Sequence, residues 1–239
     1  MSENFAGGSL VDWRKALEPI DPMLAYQLHE APDPYQQLQE LGLPTPPYVG
    51  FDTVDAFLDN PGAGIQPLTR QGIDAFYVGL RPHQPHLTKF RELGLAAHDL
   101  PAYIQANVAP QNYSSYHLRI AEYAPAVYGA TMIIDPSGRL RLEMVQGEMS
   151  NLATGAQSPE HVVTADEFTG VLRYSFDDTE LRSVISRTIA GLPRAVDGSA
   201  SPRARLHGYY EFSLIRRAGR LRPVFFDYKG SSAFSLPSS

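Results

Sequence analysis

Cysteine is absent from this 239-residue chain. Disulfide scaffolds, Cys-ligated zinc, iron–sulfur clusters and thiol nucleophiles are therefore excluded. Lysine is nearly absent: Lys15, Lys89 and Lys229 are the only three, and the other seventeen basic residues are arginine. Any chemistry that needs a lysine has only these candidates. No basic run occurs and the formal net charge is −6, which argues against a dedicated binder of nucleic acid or of anionic membranes. No apolar stretch approaches the ~18–20 residues that span a bilayer. There is no Gly-x-Gly-x-x-Gly, P-loop or Gly-x-Ser-x-Gly motif, and no internal repeat or heptad pattern. Met1-Ser2-Glu3-Asn4 lacks the basic and apolar regions of a secretory signal, so the expectation is a soluble protein of the cytoplasm.

What is present is apolar mass. Hydrophobic residues make up 43% of the chain, enough for one generous domain or two small ones. Leu10, Trp13 and Leu17, then Tyr35, Leu38 and Leu41, recur at helical spacing, with Asp33-Pro34 as a start signal and Gly42 as a stop. Leu43-Pro44-Thr45-Pro46-Pro47-Tyr48 must be extended. Residues 53–58 read as a short capped helix, and Asn60-Pro61-Gly62 as the turn that closes it. Strands are expected over 75–80, 102–108 and 116–123, with a helix over 87–95. Residues 127–134 and 139–146 flank Asp135-Pro136-Ser137-Gly138, whose Pro and Gly suit a type I turn. Residues 150–168 and 195–203 read as loops, 179–190 as a helix, and 231–239 as a frayed tail. The fold class is α+β, mostly antiparallel sheets with a few helices.

The terminal strands, 209–215 and 221–228, carry the most informative pattern. A three-residue loop, Ala218-Gly219-Arg220, would pair Phe212 with Phe226 and Leu214 with Val224 on one apolar face. A two-residue loop would pair Leu214 with Pro223, a poorer match. In the first register Glu211 stands directly across from Asp227. Opposed side chains lie roughly 4.5–5.5 Å apart at Cβ, where like charges destabilise. A divalent cation between them would compensate, as Mg²⁺ does when it takes one or two carboxylates plus a nucleotide's phosphates. Water, or neutralisation by Lys229 and Arg216, would serve as well. Glu143 alternates with Leu142 and Met144 and so points away from them, either into solvent or into a site. His83 and His86 are separated by a proline and cannot form a helical metal face; His98 and His117 stand alone in the sequence.

The run Ile120-Ala121-Glu122-Tyr123-Ala124-Pro125, followed by Tyr128-Gly129-Ala130, Asp135-Pro136-Ser137-Gly138, Leu142-Glu143-Met144-Val145-Gln146-Gly147 and Leu152-Ala153-Thr154-Gly155, resembles ATP-grasp nucleotide-binding domains. It is closest in style to those of phosphoenolpyruvate synthase and pyruvate phosphate dikinase, and Leu41 to Pro47 is similar to their lead-in. The resemblance implies an ATP-grasp-like fold with ATP and Mg²⁺ as cofactors. Glu122 and Tyr123 would edge the adenine, with Glu143 on the following hairpin, and Glu211 and Asp227 would hold the metal. The phosphates would require a basic residue, for which Arg81 and Lys89 are the leading candidates, with Arg70 a third. Asn60-Pro61-Gly62-Ala63-Gly64 is a poor stand-in for the family's glycine-rich loop.

The domain reading that follows is a helical segment over 1–42, ATP-grasp-like subdomains over 43–113 and 114–230, and a tail over 231–239. The implied activity is a ligase: ATP activates a small carboxylic acid as an acyl phosphate for attack by an amine or similar nucleophile, in a biosynthetic setting. A dikinase would be expected to continue into a phosphohistidine domain. The alternatives are a non-catalytic ATP-grasp-like binding or partner subunit, or a phosphotransferase subunit related to dikinases. A small-molecule substrate is the expected partner; homo-oligomerisation and association with a partner subunit are both open.

Overall fold

The computed structural model describes residues 34–84, 87–135, 138–149, 152, 157–165, 169–194 and 205–230. The expectations for a helix within 1–33, the Asp33 cap, Pro136-Ser137, Thr154-Gly155, the 195–203 loop and the 231–239 tail lie outside the described residues. The chain divides into two compact units, one of residues 46–124 and one joining 1–45 to 125–239. Every strand pairing among the described residues is antiparallel and the helices are few, which is the α+β class read from the sequence.

The described chain opens on α1 (Pro34–Glu40). Pro34 occupies the first position, where its missing N–H costs no hydrogen bond. Gly42 adopts φ +70°, and the N–H groups of Gly42 and Leu43 donate to the carbonyls of Gln39 and Leu38. That is a Schellman end, sealed by Leu38 and Leu43, both buried. The proline-rich segment then runs extended, and the Pro44 carbonyl accepts the Phe225 N–H at 2.8 Å.

The 46–124 unit contains β1 (Tyr48–Phe51), α2 (Val54–Leu58), α3 (Pro61–Thr69), β2 (Ala75–Pro82), β3 (Phe90–Ala96), α4 (Leu100–Asn107) and β4 (Tyr116–Glu122). Its sheet has the order β1-β4-β2-β3. Phe76, Val78 and Leu80 of β2, with Leu118 and Ile120 of β4, pack with Val54, Phe57, Ile65, Leu68, Leu100 and Ile104 of the helices into one core. Because β4 belongs to this sheet, the unit runs to Ala124 rather than to residue 113.

Three local expectations fail here for identifiable reasons. Residues 102–108 are not a strand: Leu100, Ile104 and Val108 recur every fourth residue and are buried, a helical period that outweighs the strand preference of Tyr103 and Ile104. Residues 87–95 do not form a helix. β3 is an edge strand with four successive exposed positions, so it shows no alternation, and Gly94 at φ +75° would break a helix. Asn60-Pro61-Gly62 is not a closing turn but the start of α3. The Asn60 carboxamide caps it by accepting the Ala63 N–H, and Pro61 fills the first position.

The other unit adds β5 (Ala126–Ile134), β6 (Leu140–Gln146), β7 (His161–Ala165), β8 (Leu172–Tyr174), α5 (Thr179–Ala190), β9 (Gly208–Arg217) and β10 (Arg220–Gly230). The six-stranded order is β10-β9-β5-β6-β7-β8. The β5–β6 hairpin forms as predicted, its turn held by Gly138 N–H on the Asp135 carbonyl and by Arg139 on the Asp135 carboxylate. Helix α5 also matches, capped by Asp178 and burying Leu181, Val184, Ile185 and Ile189. β7 and β8 arise in or just after the stretch read as loop. One sheet face carries the core: Ala130 and Met132, Leu140, Leu142 and Met144, Tyr210, Phe212 and Leu214, with Phe225 and Tyr228.

The terminal hairpin takes the register that looked poorer. Arg217 pairs with Arg220 across a two-residue loop, Phe212 with Phe225, and Leu214 with Pro223. Ala218 and Gly219 both have positive φ, 50° and 76°, a type I′ turn whose twist suits the strands. Pro223 is tolerated because the neighbouring Phe225 N–H points outward to Pro44, so the proline nitrogen also faces the sheet edge and no ladder bond is lost. The ladder then slips by one residue between Phe225 and Asp227, and beyond this bulge Asp227 pairs with Glu211. Ala218 is the one non-glycine with positive φ among the described residues. Ala218→Asn should therefore stabilise the fold by about 1 kcal/mol, the order of the left-handed penalty it removes, read as a higher midpoint in urea at unchanged slope.

Candidate functional site

The second face of the six-stranded sheet is unlike the first. Directly paired residues share a face, and the pairs Val162–Glu143, Glu143–Thr131, Thr131–Glu211 and Glu211–Asp227 form one continuous row across β7, β6, β5, β9 and β10. Three carboxylates and a hydroxyl thus stand in line. The structure brings Glu143, Glu211 and Asp227 together on one face; Glu143 is completely buried, so the solvated alternative does not apply to it. Gly129 lies one step along the same face, where a Cβ would overlap the backbone of Met149, so the chain after β6 crosses the sheet there.

Each carboxylate has a partner two residues away on its own strand. Arg141 Nε donates to Glu143 Oε1 at 2.7 Å, the Tyr209 hydroxyl to Glu211 Oε1 at 2.8 Å, and Lys229 Nζ lies 3.3 Å from Asp227 Oδ2. Residues two apart on a strand share a face, so the spacing delivers the partner. Of the two neutralising residues weighed from the sequence, Lys229 does reach Asp227, whereas Arg216 turns to Glu180 at 3.7 Å and to the Gly219 carbonyl. Thr131, Arg141 and Tyr209 belong to the row's chemistry and escaped sequence reading; the i±2 spacing around Glu143 and Glu211 is the signal that could have found Arg141 and Tyr209, whereas Thr131 joins the row only through its cross-strand pairs.

Two atoms in the row remain unsatisfied. Thr131 Oγ1 and Asp227 Oδ1 are buried with no hydrogen-bond partner among the described residues. Oxygen donors, an opposed carboxylate pair and an orphaned Oδ1 suit a hard divalent cation that keeps most of its ligands as water or phosphate. They do not make a closed cage: among the described residues no group of three or more His, Asp or Glu side chains is placed to hold a metal by itself.

The remaining predicted residues lie in the 46–124 unit. Arg81 is on β2, opposite His117, on the sheet face away from the helices; Lys89 is exposed just before β3. On that face a row runs Gly50–Arg119–Gly79–Arg91, with the Tyr77 side chain lying over Gly79. Burial raises the Tyr77 hydroxyl's pKa, and the Arg119 and Arg91 guanidiniums oppose that rise. The Glu122 and Tyr123 N–H groups are engaged by the carbonyls of Pro47 and Ala75, and the Tyr123 ring borders Gly94.

A separate groove of about 490 Å³ lies between α5, Leu43-Pro44 and β10, with Arg187, Arg220 and Arg222 among its lining. None of the predicted site residues lines it. Among the described residues no helix is long and apolar enough to cross a membrane.

No protein-family model matches the chain, and no curated protein matches it. Similar solved structures include the following two. The crystal structure of D-alanine–D-alanine ligase from Bacillus anthracis complexed with ATP shares 10% identity over 82% of this chain and 52% of its own, with a TM-score of 0.40. The macrocyclase MdnB from Microcystis aeruginosa MRC shares 14% over 89% of this chain and 58% of its own, with a TM-score of 0.36. This chain spans little more than half of either. Neither is a phosphoenolpyruvate synthase or a dikinase, and at these TM-scores the likeness carries no argument about activity.

The histidines of the 46–124 unit give a pH signature. His117 stacks on His83 with ring centroids 4.1 Å apart, and the His83 Nε2–H donates to the Asp52 carbonyl. Partial burial and then the neighbouring His83 lower the pKa of His117; Asp52 pulls it up, Arg81 lowers it by less than that, and the Phe51 backbone raises it least. A histidine with a depressed folded-state pKa contributes stability that is full above its unfolded value of about 6.5 and is lost as pH falls through the folded value. Thermal melts from pH 7.5 to 5 should show a falling midpoint, and His117→Gln should flatten that fall.

Proposed function

We propose that this chain is a nucleotide-using unit of ATP-grasp type that activates a small carboxylic acid for ligation to an amine or similar nucleophile in the cytoplasm. The observation that carries the reading is the cross-strand row on the second face of the six-stranded sheet, with Glu211 and Asp227 directly paired and Asp227 Oδ1 without a partner among the described residues. The ATP-grasp resemblance of the 120–155 run and the two antiparallel units support it.

In this reading Glu211 and Asp227 would hold Mg²⁺, and Glu143, locked by Arg141, would present a fixed negative edge beside them. Arg81 and Lys89 would balance phosphate charge, with Arg119 as a further cation on the same face as Arg81. Glu122 and Tyr123 would border the base. Bound Mg·ATP supplies the phosphoryl group that activates the acid; the protein's part is positioning and fixed charge. A second reading, a non-catalytic binding or partner subunit, is favoured by one observation: α3 stands where a glycine-rich phosphate loop was sought.

Thermal melts separate the two. Mg·ATP at a hundredfold excess over Kd should stabilise the protein by about 2.7 kcal/mol. Asp227→Asn should lose that shift and, because the Lys229 ammonium is left without its counter-charge, cost about 1.5–3 kcal/mol before any ligand is added. Equal ligand shifts in both proteins would show nucleotide binding without this pair. No shift in either would leave the non-catalytic reading.

A further inference from the structure

Lys229 is one of three lysines in the chain, and its side chain is only 11% exposed. Lysines are among the residues least often buried, and a buried ammonium requires a counter-charge. The counter-charge is Asp227 Oδ2, 3.3 Å from Nζ, on a carboxylate that is itself 20% exposed. Lys229 sits two residues beyond Asp227 and pairs with Tyr209, which bonds Glu211, so the ammonium stands on the face that carries the whole row. It is a cation covalently tethered to the strand that bears the carboxylate.

The rest of the row shows where compensation stops. Among the described residues Asp227 Oδ1 has no hydrogen-bond partner, and neither has the Thr131 hydroxyl, which is 2% exposed and stands between Glu143 and Glu211. The ammonium therefore balances Oδ2 of Asp227 and leaves Oδ1 without a hydrogen-bond partner among the described residues. A divalent ion bound there and an ammonium on Oδ2 would repel each other at close range, in a site too buried for water to screen them well.

We propose that Lys229 is a tethered competitor for the divalent cation and sets the metal affinity of the Glu211–Asp227 pair. The proposal rests on the Mg²⁺ reading of that pair. Metal alone binds weakly because the ammonium already neutralises Asp227. Metal accompanied by a triphosphate binds well, because phosphate oxygens offer the ammonium a new partner as it leaves Oδ2. Lys229 thus couples cation binding to nucleotide binding, and the chain does not hold a free divalent ion at rest.

The test is titration with Mn²⁺ alone, without nucleotide, followed by electron paramagnetic resonance of the free ion. Wild type, Lys229→Gln and Lys229→Arg are compared after circular dichroism has confirmed their fold. Lys229→Gln should bind Mn²⁺ tighter than wild type by roughly tenfold or more, and Lys229→Arg, which keeps the charge, should not. Adding Glu211→Gln to Lys229→Gln should abolish the gain. If Lys229→Gln binds no tighter than wild type while Mg·ATP still stabilises wild type, the competitor role is overturned and the nucleotide reading stands. If neither protein binds Mn²⁺ and Mg·ATP shifts no melt, the metal reading of the pair falls and this inference falls with it. Should Lys229→Gln fail to fold, Lys229→Met provides the neutral variant with closer packing.

Discussion

Placing ionised carboxylates on a sheet face away from water costs several kcal/mol per ion unless each is met by a donor of suitable geometry. In the six-stranded sheet the side-chain period of two meets that requirement. A residue two positions along the same strand projects to the same side at a distance a long side chain can bridge, which is how Arg141, Tyr209 and Lys229 serve Glu143, Glu211 and Asp227. Much else in the unit follows. β6, β5, β9 and β10 must hold their register, because a slip of one residue would turn a carboxylate into the apolar face. The opposite face must supply the burial that offsets the cost, and it does so with Met132, Leu142, Tyr210 and Phe212, all completely buried.

The sequence was readable where local chemistry and tertiary demand agree. The Asp135–Gly138 turn, helix α5 and the helical end at Gly42 each carry a cap or turn residue whose conformation no neighbour overrides. It was unreadable where burial reversed a preference. Tyr103 and Ile104 favour strands, yet Leu100, Ile104 and Val108 are buried at fourfold spacing and form a helix edge instead. β3 has too little burial to show any period. The opposition of Glu211 and Asp227 was legible, but the route to it was not: a tighter turn and a later bulge each shift the pairing, and the two shifts cancel.

The partners of the carboxylates expose a limit of reading one residue at a time. Glu143 alone resembles a surface charge; with Arg141 two residues earlier on the same face it becomes the buried half of an ion pair. Tyr209 looks like one more aromatic in a tyrosine-rich chain until its hydroxyl is found on Glu211. Arginine, not lysine, is this chain's ordinary cation, which makes the largely covered lysine at 229 the exception and directs attention to the compact, strongly hydrated charge that only an ammonium offers.

The bulge between Phe225 and Asp227 has a consequence for how this hairpin can change. On the tip side of Phe226 the strand's apolar residues keep step with the core; on the base side the beat is inverted, and Asp227 and Lys229 fall on the polar side while Tyr228 falls inward. The same sequence with Phe226 paired instead of bulged would send Tyr228 outward and drive both charges into the core. Deleting Phe226 would therefore make the ladder regular and keep both faces, whereas forcing Phe226 into the ladder would exchange the faces of the strand's final third. One inserted residue is the punctuation that lets a hydrophobic strand end in an ionic one.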